Sequence, residues 1–139
     1  MKHSHDIDYS EAKRIIDLII QKATAMQKSI AVAVADSHGE LIAFARMDGV
    51  ALPSINIAIN KAHSAARARK ATQEIGDKVR HPEKGYDIAY YGDPKFVGWG
   101  GGVPVLKGAD VIGAIAVSGL SAAEDADLAA LGAKLLAPR

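Results

Sequence analysis

The sequence predicts an α+β fold with a mostly antiparallel sheet of about five strands. Its short apolar runs come in pairs, each joined by a polar turn that contains glycine, as in hairpins. Long helical patterns lie before, between and after these pairs, not after every single strand, which favours α+β over α/β architecture. With 139 residues the chain is long enough for one core, so 1–139 is expected to be a single domain.

The first helix is predicted over 9–27. Asp8 and Glu11 have the spacing of a capping box. Apolar residues then recur at helical spacing: Ile15, Ile16, Ile19, Ala23 and Met26.

Two hairpins are predicted. "SIAVAVAD" and "ELIAFARM" are joined across Asp36 to Gly39, and "GVPVL" and "VIGAIAVSG" across Lys107 to Asp110. Pro104 places its strand at a sheet edge or within its first residues, because proline cannot donate to a ladder.

The other helices are predicted over 54–72 and 121–136. Ser54 suits a helix cap, and Ser121 with Glu124 repeats the capping-box spacing. Residues 73–95 have no clean period and are expected to form a long loop with at most one helical turn.

Composition limits the classes of function and the expected location and oligomeric state. Net charge is +1, which gives no electrostatic argument for binding nucleic acid or a membrane. There is no cysteine, hence no disulfide framework or thiolate site. The first residues lack an apolar signal region, so a cytoplasmic protein is expected. Apolar content rich in alanine with only 5% aromatics indicates elements that bury little area each, and a homo-oligomer is therefore expected.

The glycines in "GWGGG" do not match a nucleotide loop. A phosphate loop needs a Lys and a hydroxyl residue opening a helix, and a dinucleotide loop needs a third glycine where Val103 stands. Two interpretations stay open: a tight bend entering a strand, or a backbone that a ligand approaches closely.

Two long segments resemble the GlcG/HbpS family of small haem-binding-type domains, which also form the C-terminus of PduO-type adenosyltransferases. They are "AVADSHGELIAFARMDGVALPSINIAINKAHSAA" and "GGGVPVLKGADVIGAIAVSGLSAAEDADLAALGA". Each motif is weak alone, whereas their order and spacing are specific. The resemblance implies a profilin-like αβα sandwich, a homo-oligomer, and haem or tetrapyrrole binding in some members. Many relatives belong to pathways for small oxygenated compounds such as glycolate, glycerol or propanediol.

Arg46, Asp48 and Lys61 are the first candidate site residues. Arg46 could clamp a carboxylate, and Asp48 could orient it or act as a base. The alternative is an Arg–Asp pair that braces the loop. Lys61 could bind an anion or move a proton, or it could snorkel from the edge of its apolar stripe.

A second group lies near the last strand and helix. Ser118 and Gly119 precede a capped helix N-terminus, where free N–H groups favour an anion, and Gly101 and Gly102 would form the wall of the pocket. Glu124 could contact a ligand, although Glu124 and Asp125 most simply compensate the helix dipole.

His63 and His81 are the candidate axial ligands if haem binds, because haem iron takes imidazole from an apolar wall. His63 follows Ala62 in the second helix, and His81 lies in the irregular region.

Three functions therefore remain open. The first is a small-molecule or haem-binding protein. The second is a cofactor-independent lyase or isomerase for a small organic acid, with Arg46 binding the carboxylate and Lys61 or Asp48 moving a proton. The third is a structural oligomer that accompanies another enzyme.

Overall fold

A computed structural model describes residues 6–136, which contain one four-stranded antiparallel sheet with strand order β2-β1-β4-β3. The α+β prediction is confirmed, with four strands where about five were expected. The elements are α1 (Tyr9–Ala25), β1 (Ala31–Ala35), β2 (Leu41–Arg46), α2 (Pro53–Ala68), α3 (Thr72–Val79), a 3₁₀ turn (Ile88–Tyr91), β3 (Gly102–Lys107), β4 (Asp110–Ser118) and α4 (Ala122–Leu136).

The central strand β1 divides the core into two layers. Its sequence AVAVA alternates, and neighbouring side chains of a strand point to opposite faces. Val32 and Val34 join the larger cluster with α1 and α4, whereas the alanines pack against Ala58 and Ala62 of α2. Helices therefore cover both faces of the sheet, as in an αβα sandwich. The alanine face lets α2 approach the sheet closely.

Both predicted hairpins are present. β1 pairs with β2 from Ala31 opposite Arg46, and β3 pairs with β4 through Lys107 opposite Asp110. β3 is an edge strand, which is the position that Pro104 predicted. The two capping boxes are also confirmed, at Asp8 with Glu11 and at Ser121 with Glu124.

The second helix ends earlier than 72. α2 stops at Ala68 because Arg69 adopts a left-handed conformation, with φ 59° and ψ 32°. The Arg69 side chain donates a 2.9 Å hydrogen bond to the carbonyl oxygen of Ser37, in the turn between β1 and β2. This tertiary contact accompanies the turn of the chain into α3.

The expectation of an irregular loop over 73–95 is wrong for its first part. α3 occupies Thr72–Val79, and its buried residues Thr72, Ile75 and Gly76 follow helical spacing. This period is too short, and too interrupted by Gly76, to stand out in the sequence. The rest of the segment is irregular apart from the 3₁₀ turn at Ile88–Tyr91. No helix within residues 6–136 is long and apolar enough to cross a membrane.

Candidate functional site

Lys61 is a buried cation on the sheet-facing side of α2. It is only 2% exposed, and its Nζ donates to the carbonyl oxygen of Val117 at 3.1 Å and to Oδ2 of Asp125 at 3.2 Å. Burial lowers the pKa of Lys61 and raises that of Asp125, while the attraction between the two charges opposes both shifts. Desolvation is the larger effect on the pKa of each group. The charged pair is therefore closer in free energy to the neutral pair than the same two groups would be in water.

Asp125 is the functional candidate that the sequence analysis undervalued. Its Oδ1 accepts a 3.1 Å hydrogen bond from the backbone N–H of Leu120, which leaves Oδ2 directed at Lys61. The signal was present in the period of α4, whose buried residues are Asp125, Leu128, Ala129, Gly132 and Leu136. An acid that opens the buried stripe of a helix needs a partner.

Gly101 and Gly102 lie behind Lys61. A Cβ on Gly101 would come within 2.6 Å of Lys61 Nζ, and a Cβ on Gly102 within 2.6 Å of the Lys61 carbonyl oxygen. Gly101 also has φ +135°, a conformation that side chains rarely adopt. The two glycines let β3 pack against α2 and the buried amine of Lys61. Neither glycine lines the cavity beside the Lys61–Asp125 pair.

A cavity of about 410 Å³ opens in front of the ion pair, and we call it the Lys61 cavity. Lys61 and Asp125 form its charged end, with Ser118, Gly119 and Trp99 among the other lining residues. Lys61, Ser118 and Gly119 are thus brought together as the sequence analysis expected. The site offers an amine, a carboxyl group and a hydroxyl to a small polar ligand.

Arg46 and Asp48 lie in a different, neighbouring cavity of about 260 Å³. Both residues are exposed. Val50 lines this second cavity, and its Cγ2 would be 3.0 Å from a Cβ on Gly119, which lines the first. The two cavities therefore adjoin through this contact, but Arg46 does not share the Lys61 cavity.

Glu124 is engaged at the start of α4. Its carboxylate accepts from Ser121 Oγ at 3.0 Å, and its N–H donates to Ser121 Oγ at 3.1 Å. The hydrogen bond from the Ser121 side chain is the main reason why the pKa of Glu124 is lowered. This contact is the helix-capping alternative, and Glu124 does not line the Lys61 cavity.

The two candidate haem ligands have different surroundings. His63 is buried, with Nδ1 3.2 Å from the Gly39 carbonyl oxygen and Nε2 2.6 Å from Oδ2 of Asp93. Both partners are oxygen acceptors, so the ring proton has a partner on either nitrogen. His81 is exposed, and its Nδ1 accepts from the backbone N–H groups of Glu83 and Lys84.

Another cavity, of about 400 Å³, also borders Trp99, and we call it the Trp99 groove. Its walls are mainly apolar, with Val79, Ile88, Phe96, Val97 and Trp99, and Arg80 is the charged lining residue. The Arg80 guanidinium donates a 2.8 Å hydrogen bond to the Gly98 carbonyl oxygen. Trp99, the only tryptophan in the sequence, is 58% exposed and lines both cavities.

Phe96, which lines this groove, packs against other aromatic rings. The ring of Phe96 packs at 4.6 Å from Tyr91 and edge-on at 6.1 Å from His63. The Tyr91 hydroxyl lies 3.3 Å from that of Tyr86, a contact that raises the pKa of Tyr91 to about 12. The irregular segment is therefore anchored to α2 through His63.

Comparisons with known proteins agree with this fold. The family model described as "Haem degrading protein HbpS-like" matches residues 7–134. The protein GlcG of Escherichia coli K12 is 34% identical over 118 residues, which cover 85% of each chain. A 15.0 kDa protein from the dhaT-dhaS intergenic region of Citrobacter freundii is 32% identical, covering 88% of this chain and 87% of its own.

Solved structures give the same result. Klebsiella pneumoniae ORFY superposes with a TM-score of 0.88 at 28% identity, over 96% of this chain and 92% of its own. A PduOC:haem complex superposes with a TM-score of 0.86 at 25% identity, over 94% and 95%. With the family model covering nearly all of the described residues, the chain belongs to the HbpS-like family.

Proposed function

We propose that this protein binds haem or a related tetrapyrrole in the Trp99 groove. The observation that carries the proposal is a groove with apolar and aromatic walls and one arginine at its edge. A tetrapyrrole is a large apolar plate that carries carboxylates, so it needs both features. The groove's volume of about 400 Å³ would hold part of such a plate and leave the remainder exposed or covered by a second protomer. The haem complex of the similar PduOC supports the proposal.

The chain's own residues would divide the binding as follows. Phe96 and Trp99 would pack against the macrocycle, and Arg80 would pair with a propionate. Arg80 already uses one donor on Gly98, and a guanidinium has five. Bound haem would supply an iron centre. His81 follows Arg80 directly and is the exposed candidate to ligate it, whereas His63 is buried and held by Asp93 and Gly39. Ligation through Nε2 of His81 places the ring proton on Nδ1, so the two bonds that Nδ1 accepts would break.

Haemin titration followed by Trp99 fluorescence tests this proposal. Bound haemin should quench the single tryptophan and produce a sharp Soret band. His81→Ala should shift or broaden the Soret band, while His38→Ala, which changes another exposed histidine, should not. Arg80→Lys should weaken binding of haemin more than binding of a porphyrin ester that lacks free carboxylates.

Two results would overturn the proposal. One is Trp99 fluorescence that haemin leaves unchanged. The other is quenching without a defined Soret band, because that indicates unspecific adsorption. If His81→Ala has no effect but His63→Ala removes the band, haem binding holds and the ligand assignment to His81 is wrong.

A second candidate function rests on the buried Lys61–Asp125 pair. We propose that the Lys61 cavity takes a small hydroxy acid or a similar anion, as a lyase or isomerase site in the catabolism of small oxygenated compounds would. A lysine with a lowered pKa beside a carboxyl group with a raised pKa can pass a proton at low cost. Lys61 would move the proton, and Arg46 and Asp48 would take part only with a ligand that extends into the adjoining cavity that they line.

The neighbouring cavities allow a clean test. Glycolate and lactate should raise the melting temperature of the wild type by mass action. Ser118→Ala should reduce this shift if the ligand lies in the Lys61 cavity. Arg46→Ala should reduce it only if the ligand reaches the adjoining cavity that Arg46 lines. The absence of any shift at high concentrations of both acids would contradict this second candidate and leave haem binding untouched.

A further inference from the structure

A third polar cluster lies away from both cavities, where the segment before α1 meets the β1–β2 turn. Asp6, Asp36 and His38 each present one potential ligand atom, and these atoms lie within 4.8 Å of one another. Asp36 follows β1 directly, and His38 is exposed in the turn. Two carboxylates and an imidazole thus converge from segments 30 residues apart.

Asp6 carries the observation that points to a ligand. Its Oδ1 is a fully buried oxygen for which the structure gives no hydrogen-bond partner. The next residue is tightly held, since Ile7 is 3% exposed and its N–H donates a 3.1 Å bond to the Ile112 carbonyl oxygen. The backbone next to Asp6 is therefore held in place. A buried and unpaired carboxylate oxygen is costly, and a bound cation is one of the few groups that satisfies it.

We propose that Asp6, Asp36 and His38 form a binding site for a divalent transition-metal ion, of the Mn²⁺, Fe²⁺ or Zn²⁺ class. Two carboxylate oxygens with one imidazole nitrogen suit these ions better than Ca²⁺ or Mg²⁺, which prefer oxygen alone. Three protein ligands also leave coordination positions open to water.

The turn holds the carboxylate of Asp36 in a fixed geometry. Asp36 Oδ1 accepts from the backbone N–H groups of His38 and Glu40 at 2.8 and 3.0 Å, which leaves its Oδ2 for a metal ion. Residues outside the turn also hold it, because Arg69 donates a hydrogen bond to the Ser37 carbonyl oxygen and His63 contacts the Gly39 carbonyl oxygen. Asp36 would therefore need little ordering on metal binding.

The cluster is separate from the Lys61 cavity. Asp36 follows the Ala35 end of β1, whereas Ser118 of that cavity pairs with Ala31 at the other end. Four residues of strand place the two ends roughly 13 Å apart. Variants of the cluster therefore leave the lining of the Lys61 cavity unchanged.

The test measures Mn²⁺ binding by electron paramagnetic resonance, because protein-bound Mn²⁺ loses the sharp lines of the free ion. The background is the His3→Ala/His5→Ala double variant, which removes two histidines that precede Asp6 in the sequence and could chelate by themselves. Asp6→Asn, Asp36→Asn and His38→Ala should each weaken binding by about tenfold or more. Asp127→Asn, which changes an exposed aspartate on α4, should not.

A second measurement locates the ion. Bound Mn²⁺ should broaden the backbone amide signals of His38 and Gly39 in a ¹⁵N spectrum more strongly than that of Gly119. Equal affinities in the three variants and the control would overturn the proposal, as would no retention of Mn²⁺ or Zn²⁺ in the double-variant background. A site at these residues requires both the selective loss and the local broadening.

Discussion

Lys61 and Asp125 form an ion pair in which each charge depends on its partner. Removing one side leaves an uncompensated buried charge, and such changes cost about 3–5 kcal/mol, whereas replacing both with apolar residues is often neutral. We therefore expect Lys61→Met and Asp125→Leu each to lower the free energy of unfolding strongly, and the double variant to recover most of the loss. Urea unfolding of the four proteins measures this. Additive losses would show that the two charges do not interact.

The same pair limits how Lys61 can be tested for function. A loss of ligand binding in Lys61→Met could follow from destabilisation alone. Ser118→Ala is the cleaner probe of the Lys61 cavity, because it removes a single hydroxyl from the wall.

The His63–Asp93 contact predicts a specific loss of stability in acid. The hydrogen bond from His63 is the main reason why the pKa of Asp93 lies below its ordinary value of 3.8. A carboxyl group with a lowered pKa in the folded state stabilises the fold above the unfolded pKa, and this contribution is lost as the pH falls from 3.8 through the folded pKa. Asp93→Asn should therefore unfold with a shallower pH dependence below 3.8 than the wild type.

Asp127→Asn is the matched control, since it removes an exposed carboxylate from α4. The pH dependence of stability is compared by measuring the melting temperatures of wild type, Asp93→Asn and Asp127→Asn across this acid range. Parallel curves for wild type and Asp93→Asn would contradict a stabilising role for the contact.

At the scale of elements, α3 determines where the Trp99 groove lies. A Cβ on Gly76 would collide with the Gly98 carbonyl oxygen and with the Arg80 side chain, so α3 and the segment leading to β3 touch through bare backbone. We expect Gly76→Ala to displace residues 96–99 and to cost about 1–3 kcal/mol of stability as an overpacked contact. Haemin affinity and the Trp99 emission maximum should both change.

Glu74→Ala is the control on the exposed side of the same helix. It should leave Trp99 emission and haemin affinity as in the wild type. An unchanged spectrum in Gly76→Ala would mean that α3 and the groove are not coupled.

At the scale of the whole molecule, the surface predicts self-association. Leu52 and Tyr90 are 74% and 81% exposed, and β2 is an edge strand carrying Leu41 at 47%. Open strand edges with apolar side chains invite pairing with another chain. We expect a dimer or larger homo-oligomer with an interface that buries roughly 1,200 Å² or more in total.

Light scattering coupled to size-exclusion chromatography measures the mass directly. Leu52→Lys and Leu41→Lys place charges at the helix entry and the sheet edge, and at least one should shift the mass toward the monomer. A wild-type mass of one chain at all accessible concentrations would contradict the prediction.

Much of the architecture followed from local patterns. The short apolar run of β1, the glycine-containing turns, Pro104 at an edge and the two capping boxes each specify their structure over a few neighbouring residues. The end of α2 and the existence of α3 did not follow, because Arg69 turns the chain in contact with Ser37, and Gly76 interrupts a short period.

The sequence by itself determined the α+β class, the two hairpins and the family, since periodicity, turn chemistry and motif order are properties of consecutive residues. Only the tertiary structure decided which charges meet. It joined Lys61 to Asp125 across 64 positions, separated Arg46 from both, and brought Asp6 beside Asp36 and His38. Such contacts depend on the relative placement of helices and strands, and no local preference of the chain encodes that placement.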